Sequence, residues 1–330
     1  MKKIFALLLS AALLVTLLAA CGGGNTTDTD TDTQEPAADA STTQVEEQEP
    51  DTGDASKDDP LNQDEIGEKE LLVVSFGTSY NDSRRETIGA IEKATQTAFP
   101  DYSVRRAFTS QIIIDHVKDR DGVTIDNVEQ ALERAVNNGV KTLVVQPTHL
   151  MNGLEYEELT DELAKYSDSF EKIAIGDPLL TSDADFEAVM TAITDATKDA
   201  ADGKTAICFM GHGTTADSNS VYSKMQTLLT DKGFNDYYVG TVEATPSLDD
   251  VLAAVQKGNY EKVILRPLMI VAGDHANNDM AGDEDDSWKS TFEKAGYTVD
   301  CQVEGLGQLE AIQQLFVEHA KAAVASAEAE

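Results

Sequence analysis

Basic residues and cysteines are scarce in this chain. Lysine and arginine total 25 against 60 aspartates and glutamates, so the formal net charge is −35. Such a chain has no basic stripe to neutralise phosphates, which argues against a nucleic-acid partner. The three cysteines, Cys21, Cys208 and Cys301, have no spacing typical of a metal knuckle, and a disulfide is not predicted.

The first twenty residues have a composition unlike the rest. Residues 1–20 begin with Lys2-Lys3, continue with an apolar run and end in small residues, which predicts a secretory signal peptide. Leu18-Ala19-Ala20-Cys21 matches the bacterial lipobox, so we expect cleavage before Cys21 and lipidation of its sulfur. This pattern predicts an extracytoplasmic protein that is anchored to the cell membrane, on the periplasmic side where two membranes are present.

Apolar side chains are then almost absent until about residue 68. Acidic residues, threonine, serine, glutamine and proline dominate this stretch, and Asp28–Thr33 is a simple Asp-Thr repeat. Such a composition buries too little apolar surface to offset the entropy of ordering. We therefore expect residues 21–68 to be a lipidated cysteine followed by an acidic, disordered tether.

From Glu70 onward, apolar runs alternate with amphipathic segments. Short β-branched runs, each followed by a helical pattern, indicate parallel sheets with right-handed crossovers. The second half repeats the plan of the first, since residues 206–214 parallel 71–78 and residues 262–267 parallel 142–147. The predicted fold class is α/β with two similar lobes, residues 69–200 and 201–330, which face each other across a cleft.

Two histidines follow buried strands. His149 comes after the strand at 142–145, and His212 after the strand at 206–210. Ligands of open parallel sheets bind outside the carboxyl ends of the strands. When the two halves of the repeat are aligned, His149 falls on Met269 and His212 falls on Phe76. Neither histidine therefore has a counterpart at the equivalent position of the other lobe. This difference indicates functional specialisation.

Several long motifs identify a family. The chain resembles the anaerobic sirohydrochlorin cobaltochelatases of the CbiK type from about Leu71 to Phe316. The residues that carry the resemblance are LLVVSFGTSY (71–80), RAFTS (106–110), HLMNGLEYE (149–157), FMGHGT (209–214), GTVEATPSLD (240–249) and RPLMIVAGDHANNDMAGDEDDSWK (266–289).

The resemblance implies a class II chelatase that inserts Co²⁺ into sirohydrochlorin without ATP, on the route to cobalamin. The family's two metal-binding histidines fall on His149 and His212. Fe²⁺, Ni²⁺ and Zn²⁺ stay open as metals because imidazole suits them all. Exported members are associated with haem, so haem also stays open as a ligand.

Acidic residues near the two histidines are candidates for supporting roles. Glu155 or Glu157 is expected to assist His149 as proton acceptor, although both also suit a solvated helix face. Asp177 is a candidate third metal ligand, with a turn-forming role before Pro178 as the alternative.

The cleft should also offer groups that hold a tetrapyrrole. Small-residue loops before helices present backbone N–H groups to anions such as the carboxylates of sirohydrochlorin. Glu243 and His275 are expected at the cleft from their motifs, and helix capping is the alternative for the neighbours of His275. The predicted substrate-binding residues are Ser75, Gly77, Thr78, Ser79, Asn152, Gly153, Gly211, Gly213, Thr214, Glu243 and His275.

A rival hypothesis is a binding lipoprotein that holds haem, a corrinoid or a metal ion without chemistry. A solute-binding lipoprotein of an uptake system would suit the tether and the lobes, but it explains neither histidine. Homo-oligomerisation stays open.

Overall fold

The computed structural model describes residues 51–329. Within this range the strands are β1 (Lys69–Ser75), β2 (Ser103–Phe108), β3 (Thr142–Pro147), β4 (Lys172–Ile175), β5 (Thr205–Gly211), β6 (Tyr237–Thr241), β7 (Lys262–Pro267) and β8 (Thr298–Cys301). The helices are α1 (Asn81–Glu86), α2 (Ile88–Ala98), α3 (Gln111–Asp121), α4 (Val128–Asn137), α5 (Leu154–Ala164), α6 (Asp183–Thr197), α7 (Ser220–Asp231), α8 (Leu248–Val255), α9 (Trp288–Lys294) and α10 (Glu310–Ala329).

The strands form two parallel sheets of the same design. The first has the order β2-β1-β3-β4 and the second β6-β5-β7-β8. The registers match as well, because Val74 lies opposite Pro147 in the first sheet and Met210 lies opposite Pro267 in the second. Two α/β lobes and an internal duplication, as predicted from the repeat, are confirmed.

Local sequence explains where the elements lie. The central strands read as continuous apolar runs because helices cover both faces of each parallel sheet, and Leu71–Val74 and Ala206–Met210 are buried accordingly. Three helices begin with a capping box, in which a polar side chain and the side chain three residues later satisfy each other's backbone N–H groups. These pairs are Asn127 with Gln130, Ser182 with Asp185, and Ser247 with Asp250.

The lobes exchange one helix each. Helix α6 precedes the predicted boundary at residue 200, yet its apolar side chains pack with those of the second sheet, including Ile207, Phe209 and Tyr237. Helix α10 ends the chain, yet Val317, Ala320 and Ala323 pack on Leu71, Val73 and Val144 of the first sheet. The predicted boundary at residue 200 therefore separates the two sheets along the chain, but each sheet is covered on one face by a helix from the other side of that boundary.

Part of the stretch that the composition predicts to be disordered is ordered in the structure. Residues 51–61, here called the N-terminal strap, lie against the first lobe, where Leu61 joins a buried apolar cluster. Asp58 forms ion pairs with Arg84 and Arg106. The composition did not predict this docking, because the segment is held mainly by ion pairs and buries little apolar surface. The signal peptide, Cys21 and residues 22–50 lie outside the described residues.

No helix within residues 51–329 is long and apolar enough to cross a membrane.

The helix exchange predicts that both lobes unfold together. Phe316 on α10 is fully buried in the cluster between the lobes. We expect Phe316→Ala to lower the free energy of unfolding by about 3–5 kcal/mol because it leaves a cavity. Urea denaturation followed by circular dichroism measures the change, and a single transition is expected.

Ile112→Ala is the matched control, because Ile112 is 83% exposed and its truncation should change stability by less than about 0.5 kcal/mol. Two separate transitions, or equal effects of the two variants, would contradict the shared core.

Candidate metal centre

Three side chains of the second lobe converge where three strands end. His212 follows β5, Glu243 follows β6, and His275 lies in the loop after β7. One donor atom from each lies within 4.8 Å of the other two. The rings of His212 and His275 have centroids 4.5 Å apart, and His212 Nε2 is 4.0 Å from Glu243 Oε1. Two imidazoles and a carboxylate form a donor set that suits a divalent transition metal.

Each imidazole is oriented by a second contact. His212 Nδ1 lies 2.8 Å from the carbonyl oxygen of Gly213, and His275 Nδ1 lies 2.7 Å from Asp279 Oδ2. In the tautomer that these contacts favour, Nδ1–H donates and Nε2 keeps its lone pair. Outer contacts of this kind fix the ring and raise the basicity of metal-ligating histidines. Both Nε2 atoms are therefore available for one ion.

The cluster is open to solvent. The side chains of His212 and Glu243 are 49% and 56% exposed. Three protein ligands leave coordination positions free, as in metal sites where ligands exchange. The arrangement therefore suits an ion that is held for a time and then passed on.

Two glycines allow the His212 loop to fold tightly. A Cβ on Gly211 would lie 2.1 Å from the Tyr222 ring. Gly213 has φ of +90°, and its Cβ would lie 2.9 Å from the amide nitrogen of Ala244. The Glu243 amide can then donate to the carbonyl of His212 at 2.9 Å. Glycine on both sides of His212 thus brings Glu243 next to the imidazole.

A π-helical turn presents the second imidazole. His275 is the N-cap of the turn Ala276–Met280, whose first and last residues are buried. The side chain of Asn277 donates to the carbonyl of Gly273 at 2.8 Å, which closes the loop before it. Four-residue spacing along this turn places Asp279 against the His275 ring.

The first lobe lacks counterparts of two of the three donor residues. Because the registers match, Phe76 occupies the position of His212. Ser110 occupies the position of Glu243, since both amides donate to the equivalent carbonyl, at 3.3 Å and 2.9 Å. The duplication thus retained the loop geometry in both lobes, but the donors that follow β5 and β6 have no counterpart in the first.

His149 occupies a different environment. It is only 8% exposed, and neither ring nitrogen has a hydrogen-bond partner. Burial lowers its pKa to about 4, so the imidazole is neutral at pH 7. Buried polar groups are normally paired, so an unpaired one calls for a ligand or a functional reason. His149 is not part of the cluster above, and its metal ligation stays a prediction.

The predicted acidic helpers form no hydrogen bond to the His149 ring. Glu155 and Glu157 lie exposed in the first turn of α5, and neither bonds to the unpartnered ring. Asp177 is also exposed; its backbone carbonyl accepts from Gln146 and faces His319 Nδ1. Its side chain raises the pKa of Tyr156, although burial of the phenol has the larger effect. The structure therefore shows no proton relay that runs directly from His149 to a glutamate.

The predicted anion-binding loops are largely self-satisfied. Ser75 Oγ pairs with Thr148 Oγ1 at 2.7 Å, and Thr78 Oγ1 accepts the Tyr80 amide. In the second lobe the amides of Gly213 and Thr214 donate to Tyr222 and Asn219. The Thr78 hydroxyl only accepts in this contact and keeps its own O–H donor. Substrate contact by the predicted residues of both loops, Ser75, Gly77, Thr78, Ser79, Asn152, Gly153, Gly211, Gly213 and Thr214, stays a prediction.

Sequence reasoning assigned Glu243 and His275 to substrate binding, and in the structure they lie beside His212 in a group that could hold a metal ion. It missed Asp279 entirely. The available signal was the repeat itself, because three consecutive strand ends of the second lobe each lead to a donor residue. The i, i+4 spacing of His275 and Asp279 was a second signal.

The fold and this site define a class II metal chelatase. The sirohydrochlorin chelatase SirB from Bacillus subtilis subspecies spizizenii, solved in complex with cobalt, has a similar fold with a TM-score of 0.54 and 15% identity, over 80% of this chain and 98% of that chain. SirB from Bacillus subtilis with Fe³⁺ gives a TM-score of 0.57 at 14% identity, with the same shares of both chains.

The sequence model of the cobalt chelatase family (CbiK) matches residues 69–325, and the chain belongs to this family. It is 38% identical over 251 residues to the sirohydrochlorin cobaltochelatase of Salmonella typhimurium, which covers 76% of this chain and 94% of that protein. It is 30% identical over 260 residues to the sirohydrochlorin cobaltochelatase CbiKC of Nitratidesulfovibrio vulgaris, which covers 78% and 91%.

The buried His149 predicts a pH effect. Its pKa is about 4 in the folded chain against 6.5 when unfolded, so the unfolded state binds the proton first as pH falls. Above pH 6.5 both states carry a neutral His149, and its titration does not affect the free energy of unfolding. Between pH 6.5 and pH 4 only the unfolded state is protonated, so the free energy of unfolding falls by about 3 kcal/mol over this range.

Histidine ¹⁵N NMR titration measures this pKa directly, and the unfolding free energy of His149→Gln should fall less between pH 6.5 and 4 than that of the unmodified protein. A ring that titrates near its ordinary value would contradict burial of an unpaired imidazole.

Proposed function

We propose that this protein inserts Co²⁺ into sirohydrochlorin without ATP. The observation that carries the proposal is the convergence of His212, Glu243 and His275 within 4.8 Å in a chain of the cobalt chelatase family. The relatives of known activity support sirohydrochlorin as the substrate and cobalt as the metal.

The geometry suits the first stage of metal insertion. His212 and His275 offer ring nitrogens, and Glu243 offers a carboxylate that offsets part of the charge of the metal substrate. Open coordination positions let the pyrrole nitrogens of the macrocycle replace water and then the protein ligands. The three side chains hold the ion on one side of the ring plane.

The protons must also leave. Insertion of a dication replaces two pyrrole N–H protons, so one Co²⁺ enters and two H⁺ depart. His149 is neutral at pH 7 and neither ring nitrogen has a partner, so it offers a lone pair to a pyrrole proton or to the metal. Because its pKa is low, it would release an accepted proton readily. Solvent at the exposed cluster takes up the protons that the protein releases.

We prefer cobalt because the relatives are named cobaltochelatases. The donor side chains themselves do not select it. Two imidazoles and a carboxylate also suit Fe²⁺, Ni²⁺ and Zn²⁺. Competition between these metals in the insertion assay measures the preference.

We further propose that the chain acts outside the cytoplasm, attached to the membrane by a lipid on Cys21. The lipobox Leu18-Ala19-Ala20-Cys21 supports this location. Mass spectrometry of the mature N-terminal peptide should find diacylglycerol on Cys21, and Cys21→Ser should release the protein from membranes. An unmodified Cys21 in the mature chain would overturn the anchor.

Single replacements test the insertion activity. Anaerobic insertion of Co²⁺ into sirohydrochlorin, followed by absorbance, should fall by at least about 100-fold in His212→Ala and in His275→Ala, because each removes a metal donor. His116→Ala is the control with unchanged rate, since His116 lies exposed on α3, outside the cluster.

A binding protein without catalysis gives a different result. Tight binding of haem or a corrinoid with no insertion of Co²⁺ or Fe²⁺ would show that the protein is a tetrapyrrole carrier and not a chelatase. Full insertion activity in both histidine variants would show that His212 and His275 do not hold the metal substrate.

A further inference from the structure

The N-terminal strap delivers one buried carboxylate to the first lobe. The side chain of Asp58 is only 3% exposed. It accepts from Arg84 Nε at 2.6 Å and from Arg106 at 2.7 and 3.0 Å. The family match begins at residue 69, so this contact comes from a segment outside it.

Asp58 completes the charge balance of a buried cluster. Arg84 and Arg106 are almost fully buried, and Glu92 supplies one carboxylate to Arg106 at 2.7 Å. Two positive side chains then face two negative ones. Without Asp58 a buried positive charge would be left uncompensated, which is the costly way to break a buried ion pair.

Arg84 connects Asp58 to the start of α1. Its guanidinium donates to the carbonyl of Thr78 at 3.1 Å and to the side chain of Asn81. The strap adds a backbone contact, because the amide of Asp82 donates to the carbonyl of Thr52 at 2.9 Å. The loop before α1 and the helix itself are thus tied to the strap.

Helix α1 in turn holds the loop that carries His275. Ser83 Oγ accepts the amide of Ala272 at 3.0 Å. Gly273 packs against Thr78, since a Cβ there would lie 3.1 Å from Thr78 Oγ1. These contacts cross from the first lobe to the second and end two residues before His275.

We infer that the N-terminal strap is a positioning element of the metal centre, in which Asp58 fixes α1 and α1 fixes the Ala272–His275 loop. Asp58 touches neither metal nor ring and acts through Arg84. The inference rests on the metal-binding role proposed above, and it makes residues N-terminal to the family match part of the working enzyme.

Co²⁺ binding tests this without the insertion reaction. In the folded full chain, Asp58→Asn should weaken Co²⁺ binding by about 10-fold, the lower end for outer contacts of a metal site. The visible d–d spectrum of bound Co²⁺ should also change, because His275 is less well placed. Asp58→Glu should partly restore both, since it returns the carboxylate.

Asp54→Asn is the matched control. Asp54 lies on the same strap but contacts only its neighbours Ser56 and Lys57, so Co²⁺ affinity should not change. Ser83→Ala leaves the ion cluster intact and removes only the contact with Ala272. It should weaken Co²⁺ binding in the same direction, and Asp58→Glu, which keeps the charge and alters the length of the side chain, tests the strap if Asp58→Asn does not fold.

The outcomes separate the two proposals. If the unmodified protein binds no Co²⁺, the proposed metal centre fails. If it binds Co²⁺, and Asp58→Asn or Ser83→Ala binds it with unchanged affinity and spectrum, the strap is only structural and the inference is overturned.

Discussion

Parallel strand pairing is the constraint on which the proposed metal centre depends. Strands β6, β5 and β7 are neighbours, and all run in the same direction. Their carboxyl ends therefore meet at one edge, and residues more than thirty positions apart along the chain come within 4.8 Å. No single loop holds the three donors, so the site exists only when the sheet has formed.

Duplication gave the chain two such edges, and the two differ in chemistry. Phe76 and Ser110 stand where the second lobe has His212 and Glu243. The first lobe instead contributes His149, which is buried and neutral, from the equivalent of the β7 end. An exposed set of donors and a buried imidazole thus come from two copies of one α/β unit. The exchanged helices α6 and α10 hold the two lobes in a fixed relation, which a site built from both would require.

Much of this could be predicted from the sequence. Alternating apolar runs gave the two parallel sheets, and the repeat gave the equivalence of Phe76 and His212, which the registers confirm. Glu243 and His275 were predicted to lie at the cleft, but their contact with His212 was not predicted, because it depends on tertiary loop packing around Gly213. Docking of the strap escaped prediction, since a lone Asp58 in an acidic stretch gives no sign of the two buried arginines it neutralises.

The central claim is that His212, Glu243 and His275 together bind the metal substrate. X-ray absorption at the cobalt edge of the Co²⁺-loaded protein counts imidazole ligands through their multiple scattering. Two imidazoles in the unmodified protein and one in His275→Ala are the predicted result. An unchanged count after removal of His275 would contradict the account, because the ion would then be held by a different set of side chains.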